Sequence, residues 1–376
     1  MQRLPGDYSV LNNRLERPAP NDSVEGDEIV RSIRKRVGTV NPLVPGSSPG
    51  GPTTFPGRFR ESNTLSYSNQ GAPTHELLPV LLLAWHWAAE RGMLLNYRSP
   101  PIACAKLLAM FVRHYGNAGP LVLVLHGGPA AVGDVAPVAK GISGSFHAVE
   151  PWQRGSGGSP LTVARHITDL HELATDLGGD SRVAIVGHSW GAMLALCYAA
   201  NYPSKAGPIV LVGCGTFDQA SRSTMQATIE ERMDDEVRDR IRRVSADATD
   251  PADQFIQTFK LTRHIFDCDP IGPYADKEEC EPFDLRAYDE TWRDMRRLQD
   301  DGTYPRAFAA IESPVLMIHG QYDPHPGKMI RDSLLPHLPQ LEYRELESCG
   351  HNPWIEKSAR ELFFSIVCEW LEGQTS

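Results

Sequence analysis

RVAIVGHSWGAMLALCYAANY, residues 182–202, is the stretch that decides the fold. Val183, Ile185 and Val186 make a short apolar run without helical spacing, as a buried parallel strand requires. Gly187 to Gly191 follows at once, and then Ala192, Ala195, Leu196, Ala199 and Ala200 recur at helical spacing before Pro203. A serine between two glycines at a strand-to-helix junction is the G-x-S-x-G elbow. The glycines are needed because the turn is tight and neighbouring chain passes close by. The serine is forced into a strained backbone, and its hydroxyl stands at a helix N-terminus, where free N–H groups favour developing negative charge.

Outward from the elbow, strands and helices alternate. Leu121 to Leu125 reads as a buried strand running into His126, Gly127, Gly128 and Pro129. Phe146 to Val149 is the next strand, and Thr162 to Leu177 is helical. Pro208 to Val212, Pro314 to Gly320 and Leu341 to Leu346 are further strands. Leu107 to His114 reads as a strand or an amphipathic segment. Ile355 to Trp370 closes the chain as a helix with Leu362, Phe363, Ile366 and Val367 on its buried side. This alternation predicts an α/β protein, a mostly parallel sheet flanked by helices. Between Thr216 and Phe308 it stops: the region is helical and charged, with opposite charges three and four apart in Thr228 to Arg243. An inserted helical cap is expected there.

Serine is a weak nucleophile until a base takes its proton, and the base needs a carboxylate to orient it and stabilise its charged form. In the order Ser, Asp, His, each on a loop after a later strand, the expected set is Ser189, Asp323 after Pro314 to Ile318, and His351 after Leu341 to Leu346. Rivals are His188 within the elbow, His319 still inside its strand, His325 beside Asp323, and Asp218 after Pro208 to Val212 as the other acid. The oxyanion donors are expected to be the N–H of Trp190 and that of Gly128, with Gly127 next. Arg154 reads as a structural anchor. Gly155 to Ser159 reads as a turn, lacking the lysine of a phosphate loop and the full dinucleotide fingerprint. No cofactor and no metal is expected.

HGGP (126–129), QRGSG (153–157), GHSWG (187–191), HGQYD (319–323) and CGH (349–351) together resemble α/β-hydrolases of the proline iminopeptidase-like branch. The resemblance covers roughly Lys106 to Leu371. It implies the α/β-hydrolase fold and a serine hydrolase with Ser189, Asp323 and His351 as its triad. It departs from the branch pattern at Ala130 after HGGP, at Trp152 where an aspartate precedes the Gln-Arg pair, and at His188. Aminopeptidases of that type use cap acids to hold a substrate ammonium; Glu230, Glu231, Asp234, Asp235 and Glu236 are available here, none singled out. The function expected is cleavage of an ester or amide through an acyl-enzyme, as an aminopeptidase of that type. A small-molecule esterase or amidase and a non-catalytic hydrolase-like binding protein are the alternatives.

The expected division is a disordered extension over residues 1–75, an apolar helix and connector over 76–105, the hydrolase body over 106–215 and 309–376, and the cap over 216–308. The extension is rich in turn-formers, as in NPLVPGSSPGGPTTFP at 41–56. The apolar run Leu77 to Ala89 is broken by Pro79 and His86 and is short of the roughly 20 residues a spanning helix needs. A helix packed on the body is preferred there to a membrane-surface helix. Net charge is -10 over 376 residues, against a general nucleic-acid binder. Seven cysteines without C-x-x-C pairs, and no secretory pattern at the start, set the expectation of a cytoplasmic protein acting on a small molecule or short peptide.

Overall fold

In the computed structural model, residues 110–272 and 283–375 are described. The expected extension over 1–75 and the apolar helix over 76–105 lie outside them. Among the described residues, seven strands form one sheet: β1 (Val112–Tyr115), β2 (Leu121–Leu125), β3 (His147–Pro151), β4 (Val183–His188), β5 (Ala206–Val212), β6 (Val315–Gly320) and β7 (Leu341–Leu346). Their order is β1-β3-β2-β4-β5-β6-β7. Only β1 runs antiparallel, pairing Val112 with Pro151 and His114 with Val149; every other pair is parallel. β4, all six residues buried, lies at the middle of the sheet. The apolar runs of β2, β4, β5 and β6 are continuous because both faces of the sheet are covered.

On one face pack α2 (Val163–Gly178), α3 (Trp190–Asn201) and α8 (Gly327–Leu334), through Ile167, Leu170, Leu194, Leu196, Ile330 and Leu334 against Leu123, Ile185 and Leu211. On the other face pack α1 (Ala136–Ile142) and α9 (Arg360–Thr375), through Val138, Ile142, Phe363, Val367 and Leu371 against Val124, Val186 and Ile318. The apolar residues of α3 surround the whole helix, so it is buried all round. The closing helix corrects one expectation. It begins at Arg360, behind a 3-10 turn at Pro353–Ile355, and Leu362 is 54% exposed while Leu371 joins the core. The buried stripe runs through Phe363, Val367 and Leu371, a spacing of four, and Leu362, about 100° round the helix from Phe363, falls outside it.

Chain order sets where a ligand can sit. β2 is flanked by β3 and β4, so the chain leaves β2 toward one side of the sheet and returns at β4 on the other. The crevice outside the carboxyl ends of β2 and β4 is therefore the switch point where open α/β sheets bind ligands. Between β5 and β6 the chain inserts α4 (Gln219–Arg232), α5 (Asp235–Asp247), α6 (Pro251–Phe266) and α7 (Leu285–Asp300). Each starts with an aspartate whose side chain accepts a free N–H of the first turn: Asp218 from Ser221, Asp234 from Val237, Asp250 from Ala252 and Asp284 from Ala287. Such a cap is worth about 1 kcal/mol, which matters for helices as polar as α5. Carboxylates at the start of α7 and along it also hold the body. Asp284, Glu290 and Asp294 accept the backbone N–H groups of Ser156, Leu161 and Val163 at 2.7, 2.7 and 2.9 Å.

Candidate active site

The elbow is as tight as its glycines require. Ser189 has φ 52° and ψ -114°, a left-handed conformation that a non-glycine residue adopts at a cost of about 1–3 kcal/mol. A Cβ on Gly187 would stand 2.3 Å from the Gly191 carbonyl oxygen, and one on Gly191 would stand 2.3 Å from that of Leu125. The turn is held to the sheet where the Ser189 N–H donates to the Val212 carbonyl at 2.8 Å. Ser189 is half-buried between the buried His188 and Trp190. Trp190 is the first residue of α3, so its N–H has no carbonyl four residues back to bind.

The loop after β2 closes over the elbow. A Cβ on Gly127 would lie 2.8 Å from His188 Nδ1 and 3.2 Å from the Ser189 Cβ, so a side chain there would press on the elbow. Gly128, at φ +34°, lies against Ala131 and the Tyr288 ring of α7. Gln153 ties loop and elbow together. Its backbone N–H donates to His126 Nε2 at 3.1 Å, its amide donates to the His126 carbonyl at 3.1 Å, and its Oε1 accepts the Trp190 indole N–H at 2.6 Å. Arg154 next door makes a two-pronged bond to Asp169, 2.7 Å at each oxygen, as expected of an anchor.

Asp323 and His351 are brought together from the loops after β6 and β7. His351 Nδ1–H donates to Asp323 Oδ2 at 2.6 Å, and the Asp323 side chain is fully buried. That bond leaves Nε2 as the free nitrogen of the His351 ring. His351 stands beside the elbow. A Cβ on Gly213, the residue after Val212, would lie 2.9 Å from His351 Nδ1. His188 Nε2–H donates to the His351 carbonyl at 3.2 Å, with ring centroids 4.7 Å apart. His188 thus packs between the two loops and supports His351 through its backbone.

Asp323 has more partners than a single imidazole. Its Oδ1 accepts from the His325 backbone N–H at 2.9 Å and from His325 Nδ1 at 2.8 Å, and the His325 ring stacks on His351 at 4.7 Å and 16°. His319, buried in β6, brings Nε2 within 3.3 Å of Oδ2 while bonding the His325 carbonyl. Burial by itself would raise the Asp323 pKa, but His351, His325 and His319 together hold it well below the usual carboxylate range. Asp323 is therefore a permanent anion at neutral pH. Burial, the largest influence on His319, lowers its pKa. Asp323, His325 and His351 also place three donor atoms within 4.8 Å of one another, close enough for a divalent cation, although here they bond each other. Asp218 is spent on Ser221, accepting both its N–H and its hydroxyl, while His351 takes Asp323 as its carboxylate.

Sequence reasoning passed over His325 as a partner of Asp323. The Asp-Pro-His spacing was the available signal, since an aspartate commonly accepts the N–H two residues on. The cap acids also find other uses. Asp234 caps α5, Glu230 pairs with Arg238 at 2.5 Å, and Glu231, Asp235 and Glu236 are exposed. A row of aromatic rings, Phe255, Phe283, Tyr288 and Trp292, instead leads from the cap to Trp190.

A profile described as "Alpha/beta hydrolase family" matches residues 121–364. A proline iminopeptidase from Clostridium botulinum is 24% identical over 68% of this chain and 90% of its own length. A shorter match, 29% identical, is to a cis-3-alkyl-4-alkyloxetan-2-one decarboxylase from Shewanella oneidensis; it spans 28% of this chain and only 36% of that protein. Among solved structures, VinJ superposes with a TM-score of 0.53 at 20% identity, over 72% of this chain and 97% of its own. Among the described residues, no helix is long and apolar enough to cross a membrane.

Proposed function

The chain belongs to the alpha/beta hydrolase family, and from that premise we propose that it is a serine hydrolase cleaving an ester or amide through an acyl-enzyme. The observation that carries this reading is the 2.6 Å bond from His351 to a fully buried, ionised Asp323, set beside a serine held at φ 52° on a helix N-terminus. In this mechanism His351 Nε2 takes the Ser189 proton as Oγ attacks the carbonyl carbon. Asp323 keeps the other nitrogen protonated and stabilises the imidazolium. The tetrahedral oxyanion is met by the N–H of Trp190 and by that of Gly128 or its neighbour Gly127. His351 then gives the proton to the leaving group, and water, activated by the same base, releases the acid.

Within that class, removal of an amino-terminal residue in the manner of the proline iminopeptidases is the first subclass to test, on the similarity to such an enzyme. A second reading, a small-molecule esterase or amidase, is favoured by the cap. The acids of α4 and α5 are spent on capping and pairing or are exposed, and the surface leading to Trp190 is aromatic. Prolyl and other aminoacyl 4-nitroanilides, run beside short 4-nitrophenyl esters with wild type and Ser189→Ala, separate the two. Turnover of nitroanilides only with a free amino group supports the peptidase; turnover of esters without that requirement supports the esterase. Turnover by Ser189→Ala at the wild-type rate refutes the mechanism.

A further inference from the structure

Glu356 is 0% exposed, and its ligands are backbone amides. Its Oε1 accepts from Gly350 N–H at 2.9 Å and from Cys268 N–H at 2.8 Å, while Oε2 accepts from Asp269 N–H at 2.6 Å. Gly350 immediately precedes His351. Cys268 and Asp269 lie just past the end of the cap helix α6. One carboxylate thus joins the loop that carries the base to the segment leaving the cap.

The same two stretches are stitched along their length. The His351 N–H donates to the Phe266 carbonyl at 2.8 Å, and Asn352 Nδ2 to Asp267 Oδ1 at 3.0 Å. Ile271 N–H donates to the Ile355 carbonyl at 2.7 Å, Lys357 N–H to that of Asp269 at 3.0 Å, and Pro270 pairs with Glu356 in an antiparallel bridge. There is no room for a side chain at Gly350, where a Cβ would stand 2.1 Å from the Phe266 carbonyl oxygen and 2.6 Å from Glu356 Oε1. The strap also reaches the acid loop. Arg232, at the end of α4, donates through Nη1 to the Ile265 carbonyl at 2.8 Å and to that of Tyr322 at 2.6 Å, one residue before Asp323.

We infer that Glu356 is a positioning residue for His351, and that through it the segment Ile265–Ile271 makes the placement of the cap and the alignment of the base one mechanical unit. This inference rests on the serine-hydrolase reading. Glu356 bonds backbone amides, not the reacting side chains, and so acts by fixing the backbone on which His351 is mounted. Glutamine at this position keeps the shape but replaces one acceptor with a donor that faces an N–H. The loop must then shift, and a misplacement of about 1 Å at a catalytic group is worth about a hundredfold in rate. A ligand that displaces the cap is felt at the base by the same route.

The test uses the full chain. With a 4-nitrophenyl ester, Glu356→Gln is expected to lower kcat by at least about tenfold while KM stays within about twofold, and Glu356→Asp to recover part of the loss. The rate of Ser189 phosphonylation by a fluorophosphonate should fall by the same factor. A kcat for Glu356→Gln within twofold of wild type overturns the inference. If Glu356→Gln does not fold, native-state hydrogen exchange of the wild type in rising urea decides. The amides of Cys268, Asp269, Gly350 and His351 are expected to share one opening free energy, and separate openings of the two pairs overturn the inference. Wild type that neither reacts with the fluorophosphonate nor turns over ester refutes the hydrolase reading instead, and the exchange experiment then judges the strap alone.

Discussion

Replacing His166 with glutamine should flatten the acid dependence of folding stability. His166 lies on α2, 2% exposed, with Nε2 3.0 Å from Thr291 Oγ1 on the cap helix α7. Burial lowers its pKa from 6.5 to about 4; Asp169 opposes the shift, and His126 and Arg154 add to it. The folded protein therefore keeps this ring neutral at a pH where the unfolded chain protonates it. Between the two pKa values the unfolded state binds more protons, so stability rises with pH. It is complete above 6.5 and is lost as the pH falls from 6.5 toward 4. The full shift corresponds to about 3 kcal/mol at about 1.4 kcal/mol per unit, of which about 2 kcal/mol is already lost at pH 5. Urea unfolding followed by circular dichroism at pH 7.5 and pH 5 measures it. Wild type should lose about 2 kcal/mol more than His166→Gln between those two conditions. Equal losses in the two proteins would refute the reasoning, because the ring would then titrate alike folded and unfolded.

Gly191→Ala forces a Cβ to 2.3 Å from the Leu125 carbonyl oxygen and 2.7 Å from that of His126, so the loop after β2 must move; a loss of about 1–3 kcal/mol in urea unfolding is expected, together with slower fluorophosphonate labelling. Asp323→Asn removes the anion that holds the His351 tautomer, and kcat should fall by about 10⁴, while Asp218→Asn should leave kcat unchanged within the error of the ester assay. Asp323 also carries an acid-side signature. Its pKa is depressed in the folded state, so its contribution to stability is present above about pH 4, its unfolded value, and is lost as the pH falls toward its folded one. Urea unfolding should find the slope below pH 4 smaller in Asp323→Asn.

What was legible before the structure was what sequence carries locally. The elbow declared itself because strand, turn and helix are contiguous from Val183 to Asn201, and because Gly187 and Gly191 answer a clash only a few residues away. Asp323 and His351 could be picked out because each follows a legible strand, the apolar β6 and the alternating β7, so topology alone delivers them to the same end of the sheet. The helix Ala136–Ile142 went unread although Pro137 stands in its first turn, because seven residues carry too little periodicity to register. Leu362 escapes the expected face because four-residue spacing centres the stripe on Phe363, Val367 and Leu371, and two apolar neighbours in sequence do not say which of them faces the core. His325 and Glu356 were out of reach for a different reason. The His325 ring matters because it stacks on His351 from another loop, and Glu356 matters because its ligands sit 88, 87 and 6 residues away. Partners of that kind exist only once the chain is folded.

The central claim is that Ser189 is an activated nucleophile, and intact-mass analysis after exposure to a fluorophosphonate tests it most directly. The account predicts a single phosphonyl adduct on the wild type, located on the peptide carrying Ser189, and none on Ser189→Ala. Folded wild-type protein that takes up no adduct, or an equal adduct on Ser189→Ala, would contradict it.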